Sequence, residues 1–149
     1  MHQTNPQAAL EKMRALLKPG GVLVLQESQM STMHFSEGSL EYDEFIRVIV
    51  DLGKHKGMDF DIGSRLDKLC AEVGFEKIGY EPMEFRIQTK EAAPSLLARI
   101  DELRDGIVDA GLSTHEKVDY WKESITRLFS EAGPSTYTAS KQGYALAWR

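Results

Sequence analysis

Hydrophobic positions along this chain alternate between helical and strand-like blocks. Leu10, Met13, Leu16 and Leu17 recur at helical spacing behind Asn5 and Pro6, a cap followed by a proline whose missing N–H is harmless at a first helical position. "KPGG", Lys18 to Gly21, ends that helix, because proline cannot continue it and glycine accepts the left-handed conformations of a reversal. "VLVLQ", Val22 to Gln26, is apolar without alternation, which predicts a strand covered on both faces in a parallel sheet. The polar stretch "ESQMSTMHFSEGS" predicts a loop.

Leu40, Phe45, Ile46, Ile49 and Leu52 then mark a second helix reaching about Lys56. A third helix is expected from Ile62 to Val73, with Asp61 as its cap, Leu66, Leu69 and Cys70 on its inner face, and Gly74 closing it. "FEKIGYEPMEFRIQ" carries strand residues, with Pro82 marking an edge position or a bulge. Two more helices, Pro94 to Ala110 and Thr114 to Glu131, are separated by "GLS", and Ser113 and Glu116 form an S-x-x-E capping box. After the turn-rich "AGPSTYTASKQ", "GYALAWR" predicts a final strand. The order is α β α α β α α β, an α/β chain.

The 149 residues suit one domain with a real core. A 42% hydrophobic and 28% charged composition, without low-complexity tracts, excludes disordered and fibrous classes. Net charge is −5 with basic residues scattered among acids, which argues against a nucleic-acid reader. The lone Cys70 cannot form an internal disulfide, so a reducing compartment is expected. No apolar run approaches the ~20 residues of a membrane span, and "MHQTNPQ" lacks signal-peptide features. The expectation is a soluble cytoplasmic protein with no membrane partner.

A helix, then "LLKPGGVLVLQE", then helices, then "AEVGFEKI", resembles the second half of the class I S-adenosylmethionine-dependent methyltransferases. Leu17 to Gly21 match the turn before that family's fifth strand. Gly74 and Phe75 match the helix end before its sixth strand, and Ala145 to Trp148 its antiparallel seventh. "NPQAALEKM" and "DFDIGSRL" are similar to the ubiquinone/menaquinone-biosynthesis-like small-molecule methyltransferases, which carry a helical insertion before the last strand. The resemblance implies a partial Rossmann-like fold, a small mixed sheet with helices. Residues 1–89 would be the second half of the sheet, 90–132 the insertion and 143–149 the final strand.

The family binds S-adenosylmethionine through a glycine-rich loop after the first strand and an acidic residue ending the second. None of the twelve glycines here forms a G-x-G after an apolar strand, and the first four strands have no counterpart. The resemblance therefore implies the acceptor-side half of a transferase, inactive by itself, acting on a small molecule once cofactor-binding elements come from elsewhere. The alternative is a non-catalytic binding or dimerisation module that keeps the same half-fold. Val22 to Gln26 would lack its fourth-strand neighbour, and a bare apolar edge calls for a partner. Either a homodimer through that strand or a complementary N-terminal polypeptide is expected.

Methyl transfer needs positioning, with an optional base. Glu27, at the carboxyl end of the expected parallel strand, sits where open α/β sheets hold ligands and by resemblance would face the acceptor. His34 is a candidate base on the expected loop, and His2 falls where the family has a histidine near the cofactor. Met30 and Met33, with Met58 and Met83, could line an apolar acceptor pocket, core filling being the simpler use. His55, Asp59 and Asp61 resemble metal ligands only superficially. Helix capping accounts better for the two aspartates, and no metal site is expected. Cys70, on a buried helical face, and the lack of G-x-S-x-G disfavour hydrolase chemistry.

Overall fold

The computed structural model describes residues 3–149. Helix α1 (Pro6–Leu16) starts as its sequence predicts, with Asn5 Oδ1 accepting a 3.0 Å bond from the Ala8 N–H. At its other end the Arg149 guanidinium donates to the carbonyls of Arg14, Ala15 and Leu17, bringing positive charge to the negative end of the helix dipole. Backbone bonds from Gly20 N–H to the Arg149 carbonyl and from Arg149 N–H to the Gly21 carbonyl stitch the KPGG turn to the end of the last strand.

Strand β1 (Val22–Phe35) is more than twice the expected length, because the segment read as a loop continues the strand. Its pairing shifts between Gln29 and His34, and Thr32 fills the gap: its Oγ1 donates to the Gln29 carbonyl at 2.6 Å and accepts from the Lys141 N–H at 2.7 Å. A side chain thus replaces ladder bonds that the polar sequence seemed to forgo. Helix α2 (Leu40–His55) follows, capped by Ser39. A 3-10 turn (Ile62–Arg65) leads into α3 (Leu66–Glu72) and then β2 (Lys77–Gln88).

Helix α4 (Thr89–Asp109) begins five residues ahead of Pro94, which lies exposed inside it; the Thr89 N–H bonds the Thr136 carbonyl and anchors the earlier start. Helix α5 (His115–Glu131) is capped by Thr114, one residue beyond the expected Ser113, its Oγ1 accepting from Lys117 N–H at 3.2 Å. Strand β3 (Tyr137–Trp148) takes in residues that read as a turn-rich connection.

The architecture is mixed α/β, with strand order β1-β3-β2 and both neighbouring pairs antiparallel. β1 and β2 therefore run parallel to one another with β3 between them. The expectation that β1 sits in a parallel ladder is corrected: its one strand neighbour among the described residues is β3. Cover on both faces is corrected too, since Val24 is 66% exposed while Leu23 and Leu25 pack toward α1 and α3. The main core lies in the α2, α4 and α5 bundle, where Phe45, Ile100, Ile107, Val118 and Ile125 are fully buried. Bidentate contacts from Arg104 to Asp119 and from Lys122 to Asp101 tie α4 to α5.

Candidate functional site: an open sheet face and edge

Antiparallel partners share a face, so Val22, Val24 and Gln26 of β1 lie beside Trp148, Leu146 and Tyr144 of β3 and Lys77, Gly79 and Glu81 of β2. Thr138, ten residues before Trp148, belongs to the same alternating row. It is buried against the bundle, where Tyr42 bonds its hydroxyl. The bundle therefore covers one end of this face and leaves the other bare. Val24, Glu81, Met83, Tyr144 and Leu146 line a shallow depression of about 420 Å³ there, and Phe85 stacks on Tyr144 with centroids 6.1 Å apart. Apolar contact is what this surface offers, with Glu81 as a carboxylate at its rim.

Beside it lies the outer edge of β1. The Arg149 N–H bond to the Gly21 carbonyl sets the alternation, so the backbone groups of Val22, Val24 and Gln26 turn away from β3. The same alternation turns Met30 outward, and there the Phe60 carbonyl accepts its N–H at 3.1 Å, while Asp61 Oδ1 accepts from the Ser31 N–H at 2.7 Å. The 57–63 connection thus covers the far part of the edge. On this outer side, away from β3, Val22 to Gln26 have no strand beside them among the described residues.

On the opposite, helix-covered face, backbone meets backbone. Gly63 packs on the carbonyls of Glu27 and Ser28 and on Gly143. Tyr80 donates its hydroxyl to the Gly63 carbonyl at 3.0 Å and accepts from Gln29 Nε2 at 3.3 Å. Sequence reasoning missed this arrangement. Its available signal was Gly143, a glycine inside an otherwise strand-forming run, which marks a close approach.

The candidate residues separate. Glu27 is half-buried in mid-strand opposite Gly143, not at a strand end, because β1 runs on to Phe35. His34 lies within β1, exposed, with Nδ1 3.1 Å from the Thr32 carbonyl, so the loop expected to carry it is corrected to strand. Met30 and Met33 pack against the helical core, while Met83 reaches the open face. His2 lies outside the described residues. Asp61 serves Ser31 rather than capping a helix, and Asp59 accepts from the Asp61 N–H and pairs with Arg65 at 2.8 Å. Burial, then the Asp67 charge, pushes the Cys70 thiol up, opposite to what a nucleophile needs.

These residues do not fit S-adenosylmethionine by themselves. Gly38 is the positive-φ glycine at a strand-to-helix turn, but it stands alone in open space, and the first turn of α2 behind it carries Glu41 and Asp43. No helix of the described residues is long and apolar enough to cross a membrane. Neither a scan of protein-family models nor a search of curated proteins finds a match to this chain.

Proposed function

We propose that this chain is the acceptor-side half of a small-molecule methyltransferase of the S-adenosylmethionine-dependent kind, dependent on cofactor-binding elements supplied by another polypeptide segment. The observation that carries the reading is the sheet. Two mutually parallel strands flank an antiparallel last strand, and the first of them follows the KPGG turn. That is the order the resemblance implies for its fifth, seventh and sixth strands.

The bare surfaces support the same reading. A fourth strand added beside Val22 to Gln26 would satisfy the outward backbone groups there, and helices arriving with it would cover Val24 and Leu146. The methyl acceptor would be a small molecule held at the carboxyl ends of the parallel strands. Within this reading the chain's own contribution is positioning, and no step through the cofactor is assigned to its residues.

Calorimetric titration with S-adenosylhomocysteine tests the proposal. The chain alone is expected to give no heat. Mixed with an N-terminal polypeptide that carries a strand followed by a G-x-G loop, encoded upstream or recovered with the chain, it is expected to bind at micromolar concentration. Binding by the chain alone would show the half-site view to be wrong, and a stable complex without binding would remove the methyltransferase reading.

A further inference from the structure

We propose that the outer edge of β2 is a self-association surface, on which two copies of this chain pair Pro82–Gln88 antiparallel about a two-fold axis at Phe85. The proposal is independent of the methyltransferase reading. Every residue from Glu81 to Gln88 is exposed, so nothing among the described residues covers this edge. The register against β3 is unbroken from Lys77 to Gln88, which gives the straight, regular edge that another strand can join.

Which backbone groups face outward follows from one bond. Thr89 N–H donates to the Thr136 carbonyl, so alternation turns odd-numbered residues of β2 toward β3 and even-numbered ones away. Pro82 falls on the outward set, where its missing N–H breaks no bond to β3. Its role as an edge residue, not a bulge, is thereby settled. Glu84 and Arg86 turn their N–H and C=O groups outward, while the Gln88 carbonyl, at the N-cap of α4, belongs to the helix.

The pattern along this edge is self-complementary. An axis at Phe85 sets Glu84 opposite Arg86 of the second copy, and both are outward residues, so each pair exchanges two backbone bonds as well as opposite charges. Met83 meets Ile87 and Phe85 meets its own copy on the apolar face, where the three are 45%, 49% and 39% exposed. Within one chain Arg86 Nε already holds Glu84 Oε1 at 2.7 Å, so both side chains stand on the same side of the strand, ready to pair across the axis. The other open edge, Val22 to Gln26, carries no charge that would fix a register.

Sedimentation velocity over a concentration series tests this. The unmodified chain is expected to dimerise reversibly. Arg86→Glu and Glu84→Arg, each placing like charges opposite, should each raise the dimer Kd by roughly tenfold. Mixing those two variants should restore association as a heterodimer, because each strand then faces its opposite charge, and the exchanged double variant E84R/R86E should dimerise alone. Val24→Lys on β1 should leave association unchanged. An unmodified chain that stays monomeric, a dimer indifferent to R86E, variants that fail to recombine, or dissociation by V24K would each overturn the proposal. Thermal melts of the variants, whose substituted side chains are exposed, separate lost pairing from lost fold.

Discussion

Gly63 rests its carbonyl on the α-carbon of Gly143, so the connection before α3 touches the central strand with no side chain between them. A β-carbon at Gly143 would run into backbone that Tyr80 also holds by its hydrogen bond to Gly63. Gly143→Ala is therefore expected to cost about 1–3 kcal/mol, with Tm lower by roughly 2–4 °C for each kcal/mol. Gly133, with open space around it, is the control: Gly133→Ala should stay within about 0.5 kcal/mol of the unmodified chain. Equal melting temperatures for the two variants would show that the glycine contact is looser than described.

Glu44 joins α2 to α5. Its Oε2 accepts from the Trp121 indole N–H and from the Lys117 ammonium, each at 2.8 Å. The Lys117 bond, with the Trp121 bond behind it, holds the Glu44 carboxyl below the ordinary carboxylate range, and the Arg104 guanidinium does the same for Asp119. A depressed folded pKa contributes stability above the unfolded value and loses it as pH falls through the folded one. Stability should thus decline on acidification below about pH 4.3. Glu44→Gln keeps an acceptor for Trp121 but does not titrate, so its Tm should fall less steeply over the same acid range. Parallel Tm profiles for the two proteins would remove Glu44 as a source of the acid slope.

Helices were more legible than strands, for a physical reason. Apolar periodicity in α2 and α5, the Asn5 cap and the Gly74 stop are local signals, and the elements stand where those signals predict. The extent of β1 and β3 depends on partners more than a hundred residues apart in sequence. "SQMSTMHF" carries no apolar alternation of its own and becomes strand by pairing with β3 and by the Thr32 bridge. Pro94 misled in the opposite direction, because the buried Thr89 and Ala92 hold a helical turn ahead of it. At the candidate site, Glu27 and His34 were placed by a strand end that lies further on. Gly63, Tyr80 and Gln29 meet only through the tertiary fold.

Tyr42 offers the complementary test at high pH. Its ring is 1% exposed beside Phe129, and its hydroxyl is bonded to Thr138. Burial, reinforced by the Asp43 charge, raises its pKa beyond the range in which tyrosine ordinarily ionises. The folded chain therefore keeps this phenol neutral while the unfolded chain ionises at about pH 10, so the stability it provides is complete below that pH and lost as pH rises above it. Tyr42→Phe removes the titrating group and leaves the Thr138 hydroxyl buried without that bond, at a cost of about 1–3 kcal/mol near neutrality. Urea unfolding at neutral and strongly alkaline pH should show the unmodified chain more stable in the first condition, with the gap narrowing in the second. A gap that stays constant across the alkaline range would mean that solvent reaches the Tyr42 hydroxyl and that the junction between bundle and sheet opens there.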